Sequence, residues 1–188
     1  MIVWDADDFG SNHIISDQCQ SHDCRDQLDK FHLANPAFKA TLFAIPGEMT
    51  LELIQWCVVN RSWIELAVHG LTHSSNYECE KWTYDDMEKS MGIVQTIGGY
   101  VKGFKAPGWQ ISDACYEWLY DHGWWVADQT YNNDRRPKGL PVYLIGENSR
   151  HFHTWDCVGN GVYELEEQIL EELKTETEFK FVSEILNV

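Results

Sequence analysis

The chain begins Met1-Ile2-Val3-Trp4-Asp5-Ala6-Asp7-Asp8-Phe9-Gly10, a short apolar run that ends in three carboxylates. β-Branched and aromatic residues in a run of this length are typical of a buried strand. Adjacent carboxylates repel one another, so such a cluster usually persists because a cation or a shared proton compensates its charge. Taken alone, Asp5, Asp7 and Asp8 fit a solvated acidic turn equally well.

Apolar runs of strand length recur along the chain and alternate with helical patterns. The runs are Met1–Trp4, Ala40–Ile45, Ile64–Val68, Val101–Phe104, Trp124–Ala127, Val142–Ile145, His151–Trp155 and Phe179–Val182. The predicted helices, of which the first three follow a Thr or Ser that can cap them, are Leu51–Val59, Tyr84–Ile97, Asp113–His122 and about Tyr163–Lys174. This alternation predicts an α/β fold with a largely parallel sheet, open or closed into a barrel. In either form, catalytic groups collect where strands end in loops that lead to helices.

Composition restricts the partners that the protein can have. The 188 residues contain no long linker, low-complexity tract or internal repeat, so residues 1–188 are predicted to form a single domain. Acidic residues outnumber basic ones 30 to 14, and the formal charge of −16 disfavours nucleic acids and membrane surfaces as partners. No apolar run approaches the roughly 20 residues of a spanning helix. No secretory signal pattern is visible, so we expect a cytoplasmic location.

The six cysteines are scattered and include no Cys-x-x-Cys pair, which disfavours a structural zinc knuckle. We expect reduced, mostly buried thiols. Cys19 and Cys24 are close enough in sequence to pair if the compartment were oxidising.

A second chemical motif follows the third predicted strand, where Ile64–Val68 runs into His69-Gly70-Leu71-Thr72-His73. Two His four positions apart can face one metal ion, and neutral imidazole is a preferred zinc ligand. The motif differs from the zinc-protease signature, because Gly70 stands where that signature has its general-base Glu. An open catalytic site needs a third ligand. One Asp of the Asp7-Asp8 pair can supply it, while the other accepts a proton from water.

With these motifs in this order, the chain resembles the polysaccharide deacetylase family, the family 4 carbohydrate esterases. The resemblance implies a distorted (β/α) barrel of about seven strands and the removal of N-acetyl groups from amino sugars of a glycan. By the same comparison, Asp7 is the catalytic base, and Asp8, His69 and His73 are the metal ligands. The second motif of the family usually has Ser or Thr after its first His, where this chain has Gly70, so the hydroxyl that normally steadies that loop is missing. The opening Asp5-Ala6-Asp7-Asp8-Phe9-Gly10 is also similar to the start of YdjC-like deacetylases.

The third motif of the family resembles Lys105-Ala106-Pro107-Gly108, with Lys in place of the usual Arg. The resemblance implies that Lys105 orients the catalytic Asp, although a Lys keeps the charge without the bidentate fork of Arg. It also implies that the backbone N–H of Gly108 faces the developing oxyanion and that Trp109 borders the substrate groove. Taken alone, this segment fits a plain turn.

The last motif of the family places a general-acid His near the end of a late strand, here within His151-Phe152-His153-Thr154-Trp155. Residues at alternating positions of a strand share a face, so both His can reach the site, and we prefer His153 as the acid. His151 and Trp155 are then predicted to contact substrate. Asp128 is the candidate for the carboxylate that supports the acid, although the surrounding sequence departs from the family pattern.

The predicted cofactor is a divalent metal, with Zn²⁺ favoured by two imidazoles and one carboxylate, and Co²⁺, Ni²⁺ or Mn²⁺ as alternatives. The resemblance implies an N-acetylated glycan as the substrate, and several Trp that are expected near the rim of the site favour a sugar: Trp109, Trp124, Trp125 and Trp155. Two other functions are considered. One is a deacylase of a small non-sugar amide, and the other is a glycan-binding protein on the same fold that has lost turnover, as Lys105 suggests.

Overall fold

A computed structural model describes residues 1–11, 14–16, 19–20, 23–129, 135–146, 148–155 and 161–188. In chain order the strands are β1 (Ile2–Phe9), β2 (Ile14–Ser16), β3 (Cys19–Gln20), β4 (Ala40–Ala44), β5 (Ile64–His69), β6 (Gly103–Lys105), β7 (Trp125–Ala127), β8 (Val142–Tyr143), β9 (Ser149–His153) and β10 (Phe179–Lys180). The helices are α1 (Arg25–Ala34), α2 (Leu51–Val59), α3 (Tyr84–Ile97), α4 (Asp113–Asp121), α5 (Val162–Leu173) and α6 (Val182–Leu186).

Eight parallel strands form one curled sheet, in the order β10-β1-β4-β5-β6-β7-β8 with β9 also paired to β1. β2 and β3 form a separate antiparallel pair. This architecture confirms the predicted α/β fold and its distorted barrel, with eight strands in the sheet where about seven were expected. Because all strands of the sheet run the same way, their carboxyl ends lie at one edge of the barrel.

The two faces of the sheet carry different cores, as the two-residue period of a strand requires. The inner face packs small and aromatic side chains around Phe43 and Trp125, and Val182 of α6 joins this cluster. The outer face packs against the helices in two larger clusters. Trp124 and Trp125 are only 3% and 2% exposed and belong to these cores, so their predicted place at the rim of the site is wrong.

All eight predicted strands and all four predicted helices are present, most of them within two or three residues of their expected bounds. β1 is the exception, because it continues five residues past Trp4 to Phe9 and includes the three carboxylates. Two helices were not predicted. α1 buries only Leu28 and Phe31 and has no side-chain cap, so its sequence signal is weak. α6 is five residues long and follows β10 directly, so it resembles the continuation of a strand.

Four cysteines among the described side chains are free and buried, as expected: Cys24, Cys57, Cys79 and Cys115. The side chain of Cys19 and all of Cys157 lie outside the described residues. Within the same ranges, no helix combines the length and the apolar composition that crossing a bilayer requires.

A buried carboxylate joins α6 to the inner face of the barrel. Glu65 of β5 accepts hydrogen bonds from the hydroxyls of Thr41 and Ser183, and from the backbone N–H of Ser183. The hydroxyl of Thr41 in turn accepts a hydrogen bond from the backbone N–H of Val182. Burial raises the pKa of Glu65 despite these hydrogen bonds.

Glu65→Gln keeps the shape of this side chain and removes its ionisation. Because the pKa of Glu65 is raised on folding, the parent loses stability as pH rises above the unfolded-state value of about 4.3, whereas the variant does not. We therefore expect the free energy of unfolding of Glu65→Gln, relative to the parent, to increase as pH rises above about 4 and to level off above the raised pKa of Glu65. Urea unfolding at a series of pH values measures this difference.

The control is Glu167→Gln, which removes the same charge from an exposed position on α5. The stability difference of Glu65→Gln from the parent should change with pH more than that of this control. A change no larger than that of the control would contradict the raised pKa of Glu65.

Candidate active site

An irregularity at the end of β1 brings two adjacent carboxylates to the same place. Ala6 of β1 pairs with Leu42 of β4, and the next pair is Phe9 with Ala44. The chain advances three residues on β1 and two on β4 between these pairs, so β1 contains one extra residue. Asp8 adopts a φ of 63° at this bulge, a conformation that residues other than Gly rarely adopt. In a regular strand Asp7 and Asp8 would point to opposite faces; here both carboxylates reach the top of the barrel.

Asp8, His69 and His73 form a compact group of potential metal ligands, with ligand atoms within 4.8 Å of one another. Oδ1 of Asp8 lies 3.4 Å from Nε2 of His69 and 3.2 Å from Nε2 of His73. Among the described residues, this oxygen is buried and has no hydrogen-bond partner. A buried carboxylate oxygen without a partner, facing two imidazole nitrogens, fits a divalent cation well.

Neighbouring groups fix the orientation of these ligands. Nδ1 of His69 lies 3.0 Å from the carbonyl oxygen of Lys105, so this nitrogen carries the proton and Nε2 presents its lone pair. The indole N–H of Trp155 donates to Oδ2 of Asp8 at 2.7 Å, which leaves Oδ1 for a cation. The hydroxyl of Thr154 donates to the carbonyl oxygen of Asp8 at 2.7 Å. The set therefore has the outer contacts that metal ligands usually have.

The ionisation of Asp8 and His73 also suits a metal, whereas His69 shares its site with two carboxylates. Burial opposes the charge on Asp8, but His69 lowers the pKa of Asp8 below its ordinary value, so the carboxylate is ionised. Burial, with help from the neighbouring His69, lowers the pKa of His73, which favours the neutral imidazole that binds metals. Burial also opposes a charge on His69, yet the carboxylates of Asp7 and Asp8 raise its pKa.

Asp7 is paired with Lys105, as the family resemblance implies. The ammonium of Lys105 lies 2.6 Å from each oxygen of the Asp7 carboxylate, so one Lys contacts both oxygens without a guanidinium fork. Lys105 is 1% exposed and is covered by the rings of Trp109 and Phe43, at 4.1 Å and 5.0 Å from their centroids. Burial opposes the charge of Asp7, but Lys105 and nearby imidazoles hold its pKa well below the ordinary value.

The two His of β9 have different surroundings. β9 pairs with β1 so that His151 lies beside Asp5, and His153 beside Asp7. Nδ1 of His151 lies 2.6 Å from Oδ1 of Asp5, and its Nε2 lies 3.7 Å from Oδ2 of Asp7. His153 stacks on Trp155 with ring centroids 3.8 Å apart. Among the described residues its Nδ1 is buried without a hydrogen-bond partner, and burial lowers its pKa to about 4.

Asp7, His151 and His153 form a second group whose potential ligand atoms lie within 4.8 Å of one another. The ammonium of Lys105 already neutralises Asp7. A cation bound by this group would lie close to that fixed positive charge, so the group around Asp8 is the better metal site.

A cleft of about 170 Å³ connects these residues, and most of the predicted site lines it: Asp7, Asp8, His69, His73, Gly108, Trp109, His153 and Trp155, with Asn76 in addition. Gly108 has a φ of 56°, and a Cβ there would lie 2.6 Å from the carbonyl oxygen of Asn76, so only Gly fits. Three larger hollows, two of about 350 Å³ and one of about 270 Å³, lie elsewhere, and no imidazole is among the described residues that line them. Chemistry therefore favours the smaller cleft.

Asp128 lies in a different environment from the one predicted. Its buried carboxylate accepts a hydrogen bond from the hydroxyl of Tyr116 and lies 3.7 Å from the guanidinium of Arg136. The carboxylate that contacts His151 is Asp5, whose other oxygen accepts a hydrogen bond from Tyr143 at 2.8 Å. Sequence reasoning assigned no role to Asp5, although its position two residues before Asp7 on a strand indicates the same face.

Trp155→Phe tests the contact between Trp155 and Asp8. Phe keeps an aromatic ring to stack on His153 and removes the N–H that fixes Asp8, so the carboxylate becomes free to rotate. We expect the affinity for Zn²⁺ or Co²⁺ to fall about 10- to 100-fold, as for other partners of metal ligands. Titration in competition with a chromophoric chelator measures the change. Trp82→Phe, outside the cleft, is the control, and equal affinities for both variants would contradict the assignment.

Comparison of the sequence with family models and with curated proteins found no match. Comparison with solved structures found several. The Xyl-CE4 domain of a multidomain xylanase from the hindgut metagenome of Trinervitermes trinervoides is 21% identical, with a TM-score of 0.60 over 99% of this chain and 89% of that one. A family 4 acetyl xylan esterase from Clostridium thermocellum, in complex with a cobalt ion, is 17% identical, with a TM-score of 0.60 over 98% and 89% of the two chains.

A CE4 family pseudoenzyme from Bacillus anthracis also matches, at 13% identity and a TM-score of 0.62 over 99% of this chain and 65% of that one. The similar structures thus include a protein described as an acetyl xylan esterase and one described as a pseudoenzyme. The chain has the fold of the family 4 carbohydrate esterases.

Proposed function

We propose that this protein is a metal-dependent hydrolase, in a single catalytic domain, that removes N-acetyl groups from the amino sugars of a poly- or oligosaccharide. The observation that carries the proposal is the position of the Asp8, His69 and His73 ligand atoms beside the ionised carboxylate of Asp7. Zn²⁺ suits this set of ligands, with Co²⁺, Ni²⁺ or Mn²⁺ as alternatives. When bound, the ion supplies Lewis acidity towards the acyl carbonyl and the attacking water.

Asp7 is the general base in this proposal. Its carboxylate is ionised, lines the cleft and lies next to the metal ligands, with Oδ2 3.9 Å from Nε2 of His69. Lys105 holds both oxygens in place and keeps Asp7 from rotating towards the metal site. The backbone N–H of Gly108 is the candidate donor to the developing oxyanion, a contact commonly worth roughly 3–4 kcal/mol.

We assign the proton donor to His151, where the sequence favoured His153. A His that protonates a leaving amine needs a fixed ring orientation, and a carboxylate at its other ring nitrogen commonly provides it. Asp5 holds Nδ1 of His151 in this way and directs Nε2 towards Asp7. The low pKa of His153 favours the neutral ring, and its stacking on Trp155 supports a role as a wall of the cleft.

The substrate class rests on the walls of the cleft. Trp109 and Trp155 offer aromatic surface on which a sugar ring can pack. The formal charge of −16 favours neutral or cationic glycans and argues against nucleic acid. The free thiols of the described cysteines support a reducing compartment, in keeping with a cytoplasmic protein.

Deacylation of a small non-sugar amide is the alternative that the structure favours next, because the cleft of about 170 Å³ is small for a polymer chain. Retention of Asp7, Asp8, His69 and His73 in one cleft argues against a protein that only binds glycans.

Acetate release from N-acetylglucosamine oligomers tests the activity. Metal-loaded protein should release acetate, and chelation should abolish the release. Asp7→Asn keeps the metal ligands and removes the base, so we expect metal affinity within a few-fold of the parent and a rate about 10²- to 10⁴-fold lower. If the loaded parent binds metal but releases no acetate from these oligomers, the carbohydrate substrate is wrong, and small acylated amides are the next substrates to assay.

His151→Gln and His153→Gln distinguish the proton donor from the wall of the cleft. Loss of the donor should slow amide hydrolysis about 10²- to 10⁴-fold. Loss of the donor should have little effect on the rate of hydrolysis of 4-nitrophenyl acetate, because its nitrophenolate leaves without needing a proton. We expect this pattern for His151→Gln, and for His153→Gln a change of similar size on both substrates. The opposite result would return the acid role to His153.

A further inference from the structure

The loop that carries His73 departs from the family motif and needs another support. The motif usually has Ser or Thr after its first His, and this chain has Gly70. His73 itself has a φ of 49°, in the left-handed region that β-carbon-bearing residues avoid. A ligand on an exposed loop with unfavourable backbone geometry stays in place only if neighbouring groups hold it there.

Glu78 holds this loop through backbone and side-chain hydrogen bonds. Its Oε1 accepts from the backbone N–H and the hydroxyl of Thr72, at 2.9 Å and 2.7 Å. Its Oε2 accepts from the backbone N–H groups of Leu71 and His73, at 3.2 Å and 3.0 Å. One carboxylate therefore binds three consecutive backbone N–H groups, including that of the candidate ligand His73.

The space around Gly70 explains why this position lacks a side chain. A Cβ on Gly70 would lie 2.2 Å from Oε2 of Glu78 and 2.9 Å from the ring of Pro107. Gly70 also has a φ of 65°, which strains any other residue. The carboxylate of Glu78 thus occupies the space that a Ser or Thr side chain at position 70 would need.

We propose that Glu78 is a positioning residue that acts through His73 and takes the place of the missing hydroxyl of the motif. Glu78 fixes the loop that carries His73 before metal binds, so the loop loses less conformational freedom when the metal binds. This inference rests on the metal site of the proposed function. It also makes a separate prediction about the metal-free protein.

Glu78→Gln is the informative variant. Gln replaces one carboxylate oxygen with an amide nitrogen, which cannot accept hydrogen bonds. The hydrogen bonds to that oxygen are therefore lost. We expect metal affinity about 10- to 100-fold lower than in the parent, measured by Co²⁺ and Zn²⁺ titration against a chromophoric chelator. Glu80→Gln removes the same charge two residues away from an exposed side chain and should change affinity less than two-fold, by the general weakness of exposed charges.

Hydrogen exchange of the metal-free protein separates this inference from the proposed function. The amides of Leu71, Thr72 and His73 should be protected in the parent and in Glu80→Gln, and should exchange faster in Glu78→Gln. This result supports the role of Glu78 even if the parent binds no metal, an outcome that would refute the proposed function alone. Two results would overturn the inference. One is unchanged amide protection in Glu78→Gln, and the other is unchanged metal affinity in Glu78→Gln when the parent itself binds metal.

Thr72→Val provides a second variant if Glu78→Gln does not fold. It removes only the hydroxyl that donates to Oε1 of Glu78 and leaves the backbone contacts in place. We expect a decrease in metal affinity of a few-fold, smaller than for Glu78→Gln, with faster exchange confined to the same loop. Affinity and exchange identical to those of the parent would count against the role of Glu78.

Discussion

Two adjacent carboxylates, Asp7 and Asp8, are buried at the end of β1, and the site is arranged around their charge. They are 5% and 2% exposed, so water screens their repulsion poorly. The protein compensates the two charges separately. The ammonium of Lys105 neutralises Asp7, while Oδ1 of Asp8 faces only the imidazoles of His69 and His73 within the described residues. In the proposed function, the first carboxylate is the base and the second binds the cation.

This separation depends on the backbone. The bulge in β1 and the left-handed conformation of Asp8 turn two neighbouring side chains, which a regular strand would send to opposite faces, towards one cleft. Lys105 contributes through two different groups: its ammonium binds Asp7, and its carbonyl oxygen fixes the tautomer of His69. The parallel sheet places these residues together because β1, β5 and β6 all end at the same edge of the barrel.

Much of this arrangement follows from the sequence, because the motifs are local and follow recognisable strands. The pair Asp7-Asp8 and the pair His69 and His73 each lie within five residues directly after an apolar run. The contact of Asp5 with His151 could not be predicted in the same way. It depends on the register between β1 and β9, which are 146 residues apart at this contact. The hydrogen bonds of Glu78 depend on the conformation of an irregular turn, for which sequence periodicity gives no signal.

The most direct test of this metal site is the position of the metal in a crystal grown with Zn²⁺ or Co²⁺, located by anomalous scattering at the absorption edge of that metal. We expect one ion per chain, about 2.0–2.2 Å from Oδ1 of Asp8 and from Nε2 of His69 and His73, with Lys105 still bound to Asp7. An ion bound instead by Asp7, His151 and His153, or no ion at saturating metal, would contradict it.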